Sequence, residues 1–328
     1  MKNNKKKAIV GQRHPLVEKL LIVDGIGRAG KYLLASLLSG IKGIEPVQYR
    51  TALEHIPRLR RFNFIAEKAA REFLRAEIDQ GCYEMLIGRS INHRRLDKSS
   101  IFNNPRCKEY LKRQRLKIGH IGTILTNFYK NNLFSLFIVH ETLPNIKIFL
   151  DTFPKIKIIS IQRSPVDLVY SWYHWHQRKT KIGQRFHVGP LVEEILLRGT
   201  KGNIPWYLHN HEKEYNSLLG INRVILSITV LFEMYKSAYK KLPAQDKKKI
   251  LFVRYEDILL NPQSVTKTMA KFLKKEMLLE MKQIIKKEKL PNKKYFDLKK
   301  DKIKKIKNLS SEKYFKKLLS LENECFDK

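Results

Sequence analysis

A chain of 328 residues with 43% hydrophobic content is long enough to bury a substantial core, as one large domain or two small ones. Its 66 basic against 31 acidic residues give a formal charge of +35, which favours anionic partners such as nucleotides, acidic glycans, nucleic acid or anionic membrane surfaces. A lysine-rich, AT-biased composition explains the surplus equally well. No apolar run approaches the roughly 18 residues of a membrane span, and Cys82, Cys107 and Cys325 are too few and too scattered for a disulfide framework or a zinc site.

Met1 to Lys7 is charged and leads into Ala8-Ile9-Val10, an apolar stretch too short for a signal peptide, so the expected setting is cytoplasmic and reducing. Lys19 to Asp24 reads as a buried parallel strand, followed by glycines and a helix from Lys31 to Leu38. The arginine-rich segment from Arg50 to Arg115 has helical spacing at Phe62, Ile65, Ala69 and Phe73, and is expected to lie over the ligand edge of the sheet. Leu133 to Val139 is a strand candidate, and Asn145 to Phe153 is helical.

A second strand–turn–helix unit starts at Lys155: Ile156 to Ile161 is the strand, Pro165 fits the first turn of a helix, and that helix runs to about His176. Ile221 to Leu242 reads as a long helix and Lys249 to Arg254 as another strand, with a further helix from Ser264 to Leu273. The expected fold class is therefore α/β: a parallel sheet flanked by helices, P-loop containing, with three α/β/α layers. The expected division is a basic extension over 1–17, the α/β domain over 18–275, and a lysine-rich tail over 276–328 of exposed helix and irregular chain.

Gly25-Ile26-Gly27-Arg28-Ala29-Gly30-Lys31 fits the G-x-x-x-x-G-K of a phosphate-binding loop between strand and helix. Glycines let backbone N–H groups approach phosphate oxygens, and a helix N-terminus adds partial positive charge. Tyr32 stands where a nucleotide triphosphatase needs Ser or Thr to hold magnesium, which points away from metal-dependent phosphoryl transfer. In Ile161-Gln162-Arg163-Ser164-Pro165-Val166-Asp167, an arginine sits at a strand end, and Ser171 follows two turns into the next helix.

That second motif resembles the Arg-x-Pro segment of PAPS-dependent sulfotransferases, in which a serine eight positions after the arginine joins it in binding the 3'-phosphate of the donor. Gly25 to Tyr32 is similar to the 5'-phosphosulfate loop of the same family: Arg28, Ala29 and Gly30 match, and Lys31 replaces the usual threonine. Val253-Arg254-Tyr255-Glu256-Asp257-Ile258-Leu259 followed by Asn261-Pro262 looks like a third family segment, read as structural. The resemblance implies a PAPS-binding fold, with Gly25, Gly27, Arg28, Ala29, Gly30, Lys31, Tyr32, Arg163 and Ser171 at the cofactor and PAP as product. No metal is implied.

The resemblance also implies a mechanism. Arg28 would stabilise charge on the leaving group, and a base after a central strand would take the acceptor's proton. Phe137 to Pro144 ends the matching strand, with Glu141 as first choice of base and His140 as second. Cytosolic members carry histidine directly before Leu-Pro, where this chain has Thr142. The acceptor would be a hydroxyl or amine of a saccharide, lipid or small alcohol. Two alternatives stay open: a P-loop kinase, and a non-enzymatic binder of nucleic acid or anionic surfaces dependent on runs such as Lys299 to Lys307.

Other residues stand out more faintly. Trp172, Tyr173 and Trp175 read as core rather than an adenine clamp, and His174 and His176 face different directions on a helix. His209 and His211 are candidates for an acceptor pocket. Arg89, Arg94, Arg95, Arg106 and Arg113 are candidates for recognising an acidic acceptor.

Overall fold

The architecture is that of a computed structural model, which describes residues 10–11, 16–116, 121–179 and 195–326. Of the expected extension over 1–17, only residues 10, 11, 16 and 17 are among them. The apolar run after Lys19 forms β1 (Leu20–Asp24), buried along its whole length as a strand covered on both faces must be. A glycine-rich turn leads into α1 (Lys31–Leu38), then β2 (Gln48–Tyr49), α2 (Ala52–Arg61), α3 (Glu67–Leu86), α4 (Cys107–Lys112) and α5 (Ile121–Lys130).

β3 (Ser135–Ile138), α6 (Lys147–Thr152), β4 (Lys157–Gln162) and α7 (Pro165–Lys179) follow close to the positions expected. After them come a hairpin of β5 (Leu196–Gly199) and β6 (Gly202–Pro205), then α8 (Glu212–Ser217), α9 (Gly220–Lys241) and α10 (Ala244–Lys247). β7 (Ile250–Arg254) runs directly into α11 (Tyr255–Leu260), and Pro262 opens α12 (Pro262–Leu273).

Five parallel strands form the central sheet in the order β2-β3-β1-β4-β7. The chain leaves β1 for the β2 edge, returns through β3, then crosses β1 to reach β4. Strand order therefore reverses around β1, with Val23 beside Ile138 on one side and Ile159 on the other. The carboxyl ends of β1, β3 and β4 meet at the switch point, where open α/β sheets leave a crevice for ligands.

Helices α1, α12 and α13 (Met281–Lys287) form one packed group, and α7, α9, α15 (Lys299–Leu309) and α16 (Glu312–Phe326) form another, while α14 (Lys294–Asp297) leads into α15. The lysine-rich stretch is thus helical over most of its described length. Ile306, Tyr314 and Leu318 bury one side of it while most of the lysines face outward, the amphipathic arrangement that keeps a basic helix on a core.

Candidate active site

β1 ends at Asp24, and Gly25 to Gly30 turn the chain into α1 at the switch point. Two glycines there are dictated by space. A Cβ on Gly25 would lie 2.7 Å from the Ile161 side chain and carbonyl, and one on Gly30, whose φ is 105°, would lie 2.5 Å from the Tyr255 ring. Arg28 adopts the left-handed region at φ 69°, and its side chain is exposed at the turn. Ala29 is buried, and Tyr32 is half-buried against the core.

The loop is held from beneath. Gly27 N–H donates to Glu141 Oε1 at 2.5 Å, and Gly27 C=O accepts from Trp172 Nε1 at 2.7 Å. The Lys31 ammonium, 4% exposed, folds back onto the carbonyls of Gly25 at 2.7 Å and Ile26 at 3.1 Å. Burial lowers its pKa, and Glu141, Asp24 and Glu54 oppose that shift. The ammonium therefore straps the turn in the place where threonine was the expected residue.

On the β4 side, Arg163 and Ser171 come to the same turn. Arg163 Nη1 donates to the Arg28 carbonyl at 2.7 Å, and Arg28 Nε lies 3.4 Å from Ser171 Oγ. The two guanidinium groups are close enough that burial first, and the Arg163 charge second, lower the Arg28 pKa. Arg163 lies against the rings of Tyr255 at 4.5 Å and Tyr295 at 5.5 Å, and its Nε donates to the Tyr295 hydroxyl at 3.1 Å. The α7 N-terminus beside it is fixed by carboxylates: Ser164 N–H donates to Glu256 at 2.9 Å, and Val166 N–H to Glu322 at 2.9 Å. Glu256 of the third family-like segment thus orients its neighbours.

On the β3 side, the strand stops at Ile138, so His140 and Glu141 are not related by strand alternation. Glu141 takes the left-handed region at φ 47°, and its second oxygen lies 3.5 Å from Arg58 Nη2. His140 turns to α2. Its Nδ1 is 2.8 Å from Glu54 Oε1, which also accepts the His140 N–H at 2.7 Å, while the ring meets Tyr49 edge-on. Burial, then the Lys31 charge, push the His140 pKa down to about 3, although 27% of its side chain stays open. The neutral ring that results gives its Nδ1–H to Glu54 and keeps the Nε2 lone pair.

Arg58, 2% exposed, closes this network by donating to the His140 carbonyl at 2.9 Å and stacking over Trp206 at 5.2 Å. Asp24, fully buried, accepts the N–H groups of Thr142 at 2.9 Å and Leu143 at 3.2 Å, and burial raises its pKa to about 6. Thr142, in the family's histidine position, donates its hydroxyl to the His140 carbonyl at 3.1 Å. It braces the turn.

Every expected donor-site residue therefore gathers at the β1 and β4 ends. The structure adds Glu54, Arg58, Tyr295 and Glu322, which the sequence did not single out, and brings in Tyr255 from the segment read as structural. Glu54 and Arg58 are four apart on one helix, the spacing of an ordinary surface ion pair, and only the β3 turn packed over them reveals their burial.

The fainter candidates scatter. Arg113 pairs with Glu45, Arg106 donates to the Ile44 carbonyl, Arg95 stacks on Phe102 and Arg94 pairs with Asp97, while Arg89 is exposed. His209 packs edge-on to Phe62, His211 lies 3.8 Å from Glu214, and His174 stacks on Tyr170. Trp172 is buried and Tyr173 half-buried, whereas the side chains of Trp175 and His176 fall outside the described residues. A cavity of about 230 Å³ between Pro57, Arg60, Arg61 and Asp151 lies apart from the glycine turn.

A sulfotransferase domain family model matches residues 94–321. The chain belongs to the sulfotransferase domain family. No curated protein matches its sequence. Among solved structures, it is similar to the sulfotransferase domain from the curacin biosynthetic pathway at 12% identity and a TM-score of 0.43, over 81% of this chain and 77% of that one. It is also similar to the sulfotransferase domain of the Synechococcus PCC 7002 olefin synthase, at 14% identity and a TM-score of 0.39, over 84% and 79%. A sulfotransferase from Mycobacterium tuberculosis H37Rv matches at 13% identity and a TM-score of 0.38, over 82% and 71%. Among its described residues, this sulfotransferase has no helix long and apolar enough to cross a membrane.

Proposed function

We infer that this sulfotransferase takes its sulfuryl group from PAPS and gives it to a hydroxyl or amine, releasing PAP. One observation carries the reading. Arg28, Arg163 and Ser171 converge on the glycine turn, with Arg163 Nη1 2.7 Å from the Arg28 carbonyl and Arg28 Nε 3.4 Å from Ser171 Oγ. One bisphosphorylated adenosine has two anionic ends, and two anion-binding elements on adjoining strand ends suit both.

Sulfuryl transfer proceeds through a loose transition state in which charge grows on the leaving phosphate, so positioning and electrostatics supply the catalysis. Arg28, exposed at the turn and reaching toward Ser171, supplies positive charge to that leaving group. Gly30 and Lys31 lend backbone N–H groups at the start of α1 to the 5'-phosphate. His140 is the base: its Nδ1–H rests on Glu54, so Nε2 can take the acceptor's proton. Glu141, the sequence's first choice, holds Gly27 and faces Arg58, which makes its carboxylate a brace for the loop.

Calorimetric titration tests the donor. PAP should bind wild type, and Arg163→Ala should weaken PAP roughly tenfold or more, as the loss of a charge-assisted contact predicts. Adenosine 5'-phosphate should bind both proteins alike, and equal weakening of the two ligands would overturn the assignment. Labelled PAPS incubated with fractionated cell extracts should then label one acceptor fraction.

A further inference from the structure

We propose that Lys302 and Tyr295, carried by the C-terminal helices, are positioning residues of the donor site: they occupy the Asp167 carboxylate and so keep Arg163 available to a phosphate monoester. This rests on the donor reading above. Arg163 and Asp167 lie where β4 passes into α7, close enough that the Asp167 charge acts on the Arg163 guanidinium. A direct pair between them would cancel the charge the donor site needs.

The structure shows a different arrangement. Asp167, 2% exposed, accepts the Tyr295 hydroxyl on Oδ2 at 2.6 Å and the Lys302 ammonium on Oδ1 at 2.5 Å. The same Tyr295 oxygen accepts from Arg163 Nε, so one hydroxyl stands between the guanidinium and the carboxylate, using its single proton on Asp167 and a lone pair on Arg163. Lys302 is itself only 11% exposed and lies 4.3 Å over the Tyr295 ring, so its charge is committed to this site. Among the described residues, Arg163 forms no ion pair, and its Nη2 has no protein partner. The guanidinium is therefore aligned by two tyrosine rings, oriented through Nε and Nη1, and left with an open edge of the kind that recognises phosphate.

The chemistry assigns each group a separable role. Lys302 neutralises Asp167, Tyr295 spaces Asp167 from Arg163, and Arg163 meets the ligand. Residues 128 and 135 positions beyond Asp167 in sequence thus set the electrostatics of the motif they pack against.

The experiment uses the full chain with PAP and adenosine 5'-phosphate as probes. Lys302→Met should weaken PAP about tenfold, the scale of one charged hydrogen bond, and leave adenosine 5'-phosphate unchanged. Adding Asp167→Asn to Lys302→Met should restore PAP affinity, because no carboxylate then competes for Arg163. Unchanged PAP affinity in Lys302→Met, equal loss for both nucleotides, or no recovery in the double variant would each overturn the proposal while the donor reading stands. A wild type that ignores PAP overturns the donor reading and this inference with it. If Lys302→Met fails to fold, Tyr295→Phe carries the test, with the same selective loss and the same rescue by Asp167→Asn expected.

Discussion

His140 and Glu141 are neighbours in sequence, yet α2 claims one and the glycine turn the other, and that division assigns their chemistry. A carboxylate that accepts a backbone N–H at 2.5 Å and faces a buried arginine has little freedom to take a proton from an acceptor. An imidazole oriented through Nδ1 keeps one nitrogen for that task. His140→Gln should lower turnover by roughly 10² to 10⁴, the usual worth of a general base, and leave PAP affinity intact. Wild-type turnover should also lack the rise near pH 6.5 of an ordinary histidine, because His140 stays neutral down to about pH 3. A rise at that pH that vanishes in His140→Gln would refute the depressed pKa while leaving His140 as the base. Arg28→Ala should cut turnover far more than PAP affinity, since charge on the leaving group grows only in the transition state; equal losses would put Arg28 in ground-state binding alone.

At the scale of elements, the glycine turn is stable only because a distant strand end fits beneath it. Gly30 packs against Tyr255, the first residue after β7, and Tyr255 in turn stacks on Arg163. Gly30→Ala combines a positive φ with a clash, so it should cost about 1 to 3 kcal/mol in urea denaturation and also weaken PAP by moving Tyr255. An alanine variant that melts and binds as wild type does would show that the contact is easily relaxed.

This coupling also marks what could be read in advance. β1 with its loop, and β4 with Arg163 and Ser171, were legible because each is a contiguous apolar run ended by glycine or proline chemistry. Glu54 and Arg58 were not, since a buried ion pair and a solvated one share the same helical spacing. The β5–β6 hairpin escaped because its strands are four residues each, with Gly199, Gly202 and Pro205 diluting the apolar pattern. Tyr295 and Lys302 sit in a lysine-rich stretch whose composition suggested solvent, and only the packing of α15 on α7 gives them a partner.

For the whole molecule, a charge of +35 makes every carboxylate that takes a proton in acid an added repulsion, so stability should fall on acidification. Two groups at the site bend that trend in opposite directions. His140 has a folded pKa of about 3 against 6.5 in the open chain, so between those values the unfolded state binds more protons and acid destabilises the fold. Asp24 has a folded pKa of about 6 against 3.8, so between those values the folded state binds more protons and acid stabilises it.

From pH 6.5 to 6 only the histidine acts; from 6 to 3.8 the two oppose; below 3.8 the histidine acts alone again. Each group changes the slope by at most about 1.4 kcal/mol per pH unit. Urea midpoints measured across this range should therefore fall less steeply in His140→Gln than in wild type, and more steeply in Asp24→Asn. The slope carries the test, because an asparagine amide facing the N–H groups of Thr142 and Leu143 lowers stability at every pH. Identical slopes in wild type and His140→Gln would mean that the imidazole keeps its ordinary pKa on folding, and the depression assigned to burial would fall.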